Sequence, residues 1–319
     1  MAADGSIAPS SQTARQASCG RCLAIVCVPS FPPAMLSYRH AFHAGNHADV
    51  LKHAVVVQLL DYLTQKDKPF WYVDTHAGAG LYALDHAYAQ KKSEFETGIG
   101  PLWRAAQGGN ELPEMLEAYL EQVRELNRDG TLKHYPGSPW LAWQMLREPD
   151  RLRLFELHST ELQVLRDNFR GAGRKVMLYD GDGFNGIKAI LPPPPRRALV
   201  LIDPSYEDKQ DYARTLDTLK AGLERFATGM YAIWYPQVQR RESMQLPAQL
   251  ERLPLKSWLH VTLTVKHPVE GGLGLHGSGM FIVNPPWTLH AALEEAMPKL
   301  VELLGQDGGA AFTLESLEN

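Results

Sequence analysis

The sequence lacks long apolar runs, contains little cysteine and has no strong excess of either charge. No stretch approaches the roughly 20 apolar residues of a membrane-spanning helix, so no membrane partner is expected. Three cysteines in 319 residues cannot form a disulfide framework, and a reducing compartment, the cytoplasm, fits. A net charge of -4 argues against a protein that coats nucleic acid through bulk charge, although it allows a local basic face.

The first 34 residues differ from the rest of the chain. They hold all three cysteines, and Cys19 and Cys22 form a CxxC pair. A zinc site usually needs a second such pair, and a thioredoxin-like pair lies near a βαβ pattern; neither is present here. We therefore expect residues 1–34 to be a flexible extension without a metal. Regular patterning begins at Met35, a candidate natural start, and residues 35–319 are expected to form the functional domain.

From residue 38 onward the pattern is that of an α/β protein. Apolar residues at 51, 54, 55, 59 and 63 predict a helix over 48–66. Helical patterns also fill much of 83–137, which we interpret as a small helical insertion. Seven strands are expected, several of them separated by helical patterns, which predicts a mostly parallel sheet. These strands are 69–74, 151–156, 175–179, 198–202, 230–234, 259–265 and 279–283.

Ligands of open α/β sheets bind beyond the carboxyl ends of the strands, so the residues that follow each strand are candidate site residues. The first strand runs into Asp74-Thr75-His76-Ala77-Gly78-Ala79-Gly80, whose glycines let the backbone approach a ligand, or simply form a tight turn. Glu156 ends the second strand and can hold both hydroxyls of a ribose, or can be a solvated strand end. Asp180-Gly181-Asp182-Gly183 follows the third strand, where a carboxylate can accept a hydrogen bond from an adenine amine, or form a plain turn.

The sharpest motif is Asp203-Pro204-Ser205-Tyr206, which follows the buried fourth strand. A carboxylate at Asp203 and the carbonyl of Pro204 can accept hydrogen bonds from the exocyclic amine of a base. An aromatic ring at Tyr206 can stack on a base that has left its helix. A turn that closes the strand is the alternative explanation of the tetrapeptide alone.

Together these motifs resemble those of class I S-adenosylmethionine-dependent methyltransferases that modify amines. The segments Met35–His53, Asp74–Gly80, Tyr135–Pro139 and Asn284–Trp287 resemble the RlmJ family in particular, which are bacterial 23S ribosomal RNA adenine-N6 methyltransferases. The resemblance extends from about residue 35 to near the C-terminus.

The resemblance implies a Rossmann-like fold, S-adenosylmethionine as cofactor and 23S ribosomal RNA as partner, with no metal and no obligate protein partner. It implies Asp203 as the catalytic carboxylate and Tyr38 as a contact to the RNA. The family usually has proline where this chain has Ser205, which puts the rate in question. Cofactor contacts are implied at the matching positions His53, His76, Ser138, Glu156, Asp182 and Gly183.

Two further motifs have competing explanations. Asn284-Pro285-Pro286-Trp287 also looks like an amine methyltransferase motif, but it follows the seventh strand, and we interpret it as a structural turn. His43 and His47 have an i,i+4 spacing that suits zinc, but no zincin pattern completes it. A polar, basic face near cofactor and RNA is expected instead, formed by Arg39, His40, His43, His47, Lys52 and His53.

Three other functions are compatible with parts of the pattern. A DNA adenine methyltransferase shares the Asp-Pro-x-Tyr motif, but no separate target-recognition domain is evident. A catalytically silent RNA-binding protein would explain Ser205, although Asp203 and Tyr206 are intact. A nicotinamide dehydrogenase fits least, because hydride transfer has no role for the Asp-Pro-x-Tyr turn.

Overall fold

Strands and helices alternate along most of the chain, as the pattern predicts. The computed structural model describes Met1 and residues 43–84, 93–269 and 274–317. Tyr38 and residues 2–34 of the expected extension lie outside the described residues. The strands are β1 (Trp71–Asp74), β2 (Leu81–Ala83), β3 (His134–Pro136), β4 (Arg151–Glu156), β5 (Val176–Asp180), β6 (Ala198–Ile202), β7 (Met230–Gln237), β8 (Trp258–Thr264), β9 (Gly277–Val283) and β10 (Ala311–Leu317).

The helices fall between these strands and at the start of the described chain. They are α1 (His47–Thr64), α2 (Ile99–Gln107), α3 (Glu114–Leu126), α4 (Ser138–Met145), α5 (Ser159–Asn168), α6 (Gly183–Ile190), α7 (Gln210–Arg225), α8 (Arg241–Glu251) and α9 (Leu289–Leu304). None of them, within the described ranges, is both long and apolar enough to cross a bilayer.

Eight strands form the main sheet, in the order β10-β8-β9-β7-β6-β1-β4-β5. The five strands from β7 to β5 are parallel, whereas β9 is antiparallel to β7 and β8, and β10 is antiparallel to β8. The strand order reverses at β1, which lies between β4 and β6. This is the point at which open α/β sheets bind their ligands.

The mostly parallel α/β sheet is confirmed, but the count of seven strands was one too low. The additional strand, β10, lies at the edge of the sheet and is largely exposed. Of its apolar side chains, Phe312 and Leu314 pack against the core. Such an edge strand has a weak apolar pattern, because few of its side chains are buried.

Helices cover both faces of the sheet, and β6 shows how. Its sequence Ala-Leu-Val-Leu-Ile is buried throughout, as expected for a central parallel strand. Because side chains alternate between faces, Leu199 and Leu201 join one apolar cluster, whereas Val200 and Ile202 join another. The first cluster includes α1 and α9, and the second includes α6 and α7.

Helix α1 is enclosed on nearly every side. Asn46 caps its N-terminus by accepting hydrogen bonds from the amides of Ala48 and Asp49, each at 3.0 Å. Of its 18 residues, 14 are buried, because the helix packs against α3, α4 and β9. Polar residues in its first turns, including Lys52 and His53, are therefore carried into the interior.

The segment expected to be an insertion is framed by a small second sheet. β2 and β3 pair antiparallel, and α2 and α3 lie between them in sequence. Leu116 and Tyr119 of α3 are fully buried in the same cluster as α1. These helices thus extend the core on one face of the sheet; the boundaries 83 and 137 stay a prediction.

Candidate active site

A cavity of about 540 Å³ opens at the carboxyl edge of the parallel strands. Residues that follow β1, β4 and β6 line it, together with the first turns of α1. The structure brings together around this one cavity every proposed site residue that it describes: His53, His76, Ser138, Glu156, Asp182, Gly183, Asp203, Pro204 and Tyr206. Their individual roles stay predictions.

The turn after β1 is built on the buried carboxylate of Asp74. It accepts hydrogen bonds from the hydroxyls of Ser138 at 2.6 Å and Tyr72 at 3.1 Å, and from the amide of His76 at 3.1 Å. Burial raises the pKa of Asp74, and these hydrogen bonds partly offset that effect. The hydroxyl of Ser138, a predicted cofactor contact, therefore also fixes the turn.

His76 extends from this turn into the cavity wall. Its Nδ1 lies 2.8 Å from the hydroxyl of Thr75, and its ring packs edge-on against Phe184, with centroids 4.6 Å apart. Desolvation lowers the pKa of His76 to about 3, so the imidazole is neutral at physiological pH.

Glu156 joins the turns after β1 and β4. One carboxylate oxygen accepts from the amide of Gly78 at 2.8 Å, and the other accepts from the amide of His158 at 2.7 Å. Gly78 adopts the left-handed conformation, with φ +59°, which glycine reaches without strain. Burial raises the pKa of Glu156, and the two amides partly offset this.

Asp182 and Gly183 start α6 directly against the β1 turn. The Asp182 carboxylate accepts from the amide of Phe184 at 3.0 Å and from the guanidinium of Arg214 at 2.6 Å. A β-carbon on Gly183 would lie 2.0 Å from the carbonyl oxygen of Thr75. Only glycine allows this approach, which brings the N-terminus of α6 to the cavity.

Asp203 faces α1 across the cavity. Its Oδ2 lies 2.7 Å from Nζ of Lys52, and the same ammonium lies 2.8 Å from Oδ1 of Asp49. The Lys52 and Asp49 side chains are at most 6% exposed, and that of Asp203 is 12% exposed. Burial alone lowers the pKa of Lys52, but the two carboxylates outweigh it and raise the pKa above its usual value.

Tyr206 lies beside Asp203, but its ring is packed inward. It is 2% exposed, lies 4.5 Å from the ring of Tyr212, and donates its hydroxyl hydrogen to the carbonyl of Trp234 at 2.8 Å. Stacking on a base requires the ring to leave this packing, so that role stays a prediction. The half-buried ring of Trp234 lines the cavity instead, 5.7 Å from the Lys52 ammonium.

His53 belongs to a buried polar chain that leads away from the cavity. Its Nδ1 lies 2.8 Å from the hydroxyl of Tyr135, which lies 2.8 Å from the hydroxyl of Tyr119. Its Nε2 lies 3.9 Å from the Asp49 carboxylate. The predicted cofactor contact thus links α1 with α3 and β3.

Of the two competing motifs, the Asn284 turn lies away from the cavity and the histidine pair lies at the cavity rim. β9 runs antiparallel to β7, so the Asn284 turn lies at the opposite edge of the sheet, as its interpretation as a structural turn requires. Nδ1 of His43 lies 2.8 Å from the Glu94 carboxylate at the cavity rim. Burial lowers the pKa of the nearby His47 to about 4.

Sequence reasoning missed the pairing of Lys52 with Asp203, because it treated Lys52 as part of a basic face. One signal was available. Asp49 and Lys52 have an i,i+3 spacing in a helix that is otherwise mostly apolar, and charges on such a helix are buried and paired.

Comparisons with known proteins agree with this geometry. The sequence model of a family described as "Ribosomal RNA large subunit methyltransferase D, RlmJ" matches residues 67–315. A curated relative from Escherichia coli K12, named ribosomal RNA large subunit methyltransferase J, is 45% identical over 83% of this chain and 93% of its own. A relative of the same name from Haemophilus influenzae is 43% identical over 88% and 98%. A crystal structure from Legionella pneumophila is 36% identical, with a TM-score of 0.78, over 86% of this chain and 98% of that chain.

Proposed function

Because the chain belongs to the RlmJ family of ribosomal RNA methyltransferases, we propose that it methylates the N6 amine of an adenosine in 23S ribosomal RNA. Family and fold make S-adenosylmethionine the cofactor. The observation that carries the proposal is the placement of Asp203 in the same cavity as Glu156 and Asp182, each at or just beyond the carboxyl end of a parallel strand. We place the reaction in the cytoplasm.

The described residues fit the cofactor. Glu156 presents a buried carboxylate whose two oxygens are already oriented by backbone amides, and each oxygen keeps a lone pair for a ribose hydroxyl. Asp182, at the start of α6, would accept from the adenine amine. Eight carboxylates and three Lys or Arg side chains line the described part of the cavity, which suits a cationic ligand. When bound, the cofactor supplies an electrophilic methyl group on a sulfonium centre.

Asp203 and Pro204 would act on the substrate amine. The nitrogen lone pair of adenine is delocalised into the ring, which makes the amine a poor nucleophile. Hydrogen bonds from the amine to the Asp203 carboxylate and the Pro204 carbonyl would direct the lone pair toward the methyl group. Positive charge grows on the nitrogen during transfer, and the Asp203 carboxylate stabilises it, so catalysis is mainly positioning and electrostatics.

Lys52 orients the Asp203 carboxylate for this role. Its raised pKa keeps it an ammonium ion at any physiological pH, and the contact of 2.7 Å fixes one carboxylate oxygen. The carboxylate held in this way would accept a hydrogen bond from the substrate amine.

The substrate adenosine must lie outside a base-paired stack, since the amine has to reach the bottom of the cavity. Unpaired loops or a flipped base meet this requirement. The names of the curated relatives favour ribosomal RNA over DNA.

Transfer of labelled methyl from S-adenosylmethionine tests the proposal on three substrates: deproteinised 23S RNA, intact large subunits and adenine-containing duplex DNA. We expect N6-methyladenosine in the RNA only. Asp203→Ala should keep cofactor affinity, measured by calorimetry, and lose about 100-fold or more in rate. Equal rates for mutant and wild type would exclude the assigned role of Asp203, and label in DNA alone would favour the DNA methyltransferase.

One observation bears on the alternative of a silent binding protein. Ser205 replaces the usual proline but is exposed, and its hydroxyl lies 3.5 Å from the amide of Glu207 within the same turn. The Ser205 side chain therefore leaves the placement of Asp203 unchanged, and Asp203 keeps its contact with Lys52. Cofactor binding without transfer to any substrate would support the silent protein instead.

A further inference from the structure

The Lys52 ammonium lies between two carboxylates, of which the proposed chemistry uses only one. Asp203 is 2.7 Å away on one side, and Asp49 is 2.8 Å away on the other. Asp49 is 2% exposed and lies in the first turn of α1, where the helix dipole favours a negative charge.

We propose that Asp49 is a positioning residue for methyl transfer, which holds the Lys52 ammonium and restores to the site the negative charge that Lys52 cancels. The inference rests on the proposed function. A carboxylate paired one-to-one with an ammonium ion stabilises a developing positive charge poorly, because the two charges largely cancel at a distance. A second carboxylate on the same ammonium adds one negative charge to the site, whatever other groups face it.

The position of Asp49 is fixed on its other side as well. Its Oδ2 accepts from the amide of Gly45 at 2.9 Å, while Oδ1 contacts Lys52. Gly45 has φ +78°, and its carbonyl accepts from the amide of Ile99 at 2.8 Å, so the turn is held by α2. The Asp49 carboxylate therefore cannot rotate away from the ammonium without losing a buried hydrogen bond.

Three other titratable groups that face Asp49 in the described chain add no charge near pH 7. They are His47 on α1, Tyr119 on α3 and Tyr135 on β3, and His53 on α1 lies 3.9 Å from the same carboxylate. Burial lowers the pKa of His47 to about 4 and raises the pKa of both phenols, so these three groups are neutral near pH 7. Of the neighbours in the described chain, Lys52 is the closest cation.

The test compares Asp49→Asn with the wild type and with Asp150→Asn. Asp150 is a fully buried carboxylate that precedes β4 at the opposite edge of the sheet, where it pairs with Arg147 at 2.9 Å. It therefore controls for the loss of a buried charge as such. The measurements are kcat on 23S RNA from pH 5 to 9, calorimetric affinity for S-adenosylmethionine, and the unfolding temperature.

We expect Asp49→Asn to lower kcat by about tenfold or more, with cofactor affinity within twofold of wild type. The acid limb of the kcat profile should move to lower pH, because a neighbouring negative charge has been removed and the remaining carboxylate ionises more easily. A lower kcat combined with activity that extends to lower pH would not result from a general loss of stability. Asp150→Asn should lower the unfolding temperature and leave kcat and the acid limb unchanged.

An unchanged kcat or an unshifted acid limb in Asp49→Asn would overturn the inference, as would a parallel loss of cofactor affinity. If the amide variant does not fold, Asp49→Ser serves as a smaller neutral replacement for the same carboxylate. Absence of transfer by the wild type would overturn the proposed function itself. If the wild type transfers methyl and Asp49→Asn transfers it equally well, only the inference is overturned.

Discussion

Two turns in this chain share a pattern, Asp or Asn followed by proline with an aromatic residue at the fourth position, but they lie in different surroundings. Asp203-Pro204-Ser205-Tyr206 follows β6, and Asn284-Pro285-Pro286-Trp287 follows β9. Both contain a residue with positive φ, +55° at Tyr206 and +54° at Asn284. Asp203 faces Lys52 in the cavity, whereas the Asn284 amide donates to the carbonyls of Ala227 and Gly229 at 2.9 and 2.7 Å.

The direction of the preceding strand explains the difference. β6 is parallel to its neighbours, so its end meets the ends of β1 and β4 at the carboxyl edge. β9 is antiparallel, and Val283 at its end pairs with Tyr231 near the start of β7, at the other edge. The aromatic residues differ too, since Tyr206 is 2% exposed and Trp287 is 80% exposed. The direction of the preceding strand therefore decides whether such a tetrapeptide reaches the cavity.

Removing the cation that only the first turn possesses should have the largest effect. Lys52→Met leaves Asp49 and Asp203 buried without their shared ammonium, so we expect a rate loss of about 100-fold or more and about 3–5 kcal/mol less stability. Single-turnover methyl transfer and urea unfolding measure the two effects. Lys299→Met is the matched control, because its ion pair with Glu302 is at the surface and should contribute below about 1 kcal/mol. A wild-type rate in Lys52→Met would contradict the assigned arrangement.

The region of the second turn contains a buried titratable group, His260, which burial keeps neutral although its Nδ1 lies 3.5 Å from the Glu251 carboxylate. His260 on β8 is 7% exposed, its Nε2 lies 2.7 Å from the hydroxyl of Tyr235, and burial lowers its pKa to about 4. The unfolded chain therefore binds a proton below about pH 6.5 that the native protein rejects, and stability is lost as the pH falls through that value.

For His260 this loss amounts to about 2 kcal/mol between pH 7 and pH 5. Urea unfolding at pH 7, 6 and 5 should show a shallower pH dependence in His260→Gln than in the wild type. All other titrating groups are common to the two proteins, so parallel curves would show that His260 is protonated in the native state.

The smallest effect is expected at the second turn itself. Asn284→Ala removes two hydrogen bonds and places alanine, which disfavours the left-handed region, at φ +54°. The free energy of unfolding should therefore fall by about 1–2 kcal/mol, with kcat unchanged. Asn284→Gly, which tolerates that φ, isolates the hydrogen bonds. Asn284→Asp should not restore transfer to Asp203→Ala, and any such rescue would place catalysis at the wrong edge of the sheet.

Local features of the sequence predicted which turns meet at the cavity, because each strand and its following turn are adjacent in the chain. The Gly78 turn, Glu156, Asp182 and Asp203 all line one cavity once the parallel strands align their ends. The contact between Lys52 and Asp203 joins residues 151 positions apart, so no local pattern reports it. The inward packing of Tyr206 depends on Trp234 and Tyr212, which the motif does not contain.

The burial of α1 has a consequence for the order in which this protein can assemble during synthesis. α1 leaves the ribosome before every strand of the sheet, yet it packs against β9 and α9, which are made near the end. Contacts of such long sequence separation close slowly. The nascent chain therefore holds an apolar helix without two of its partners, β9 and α9, until some 300 residues have been translated. Since Lys52 lies on that helix, we expect its contact with Asp203 to become fixed in place only when β9 and α9 have been added.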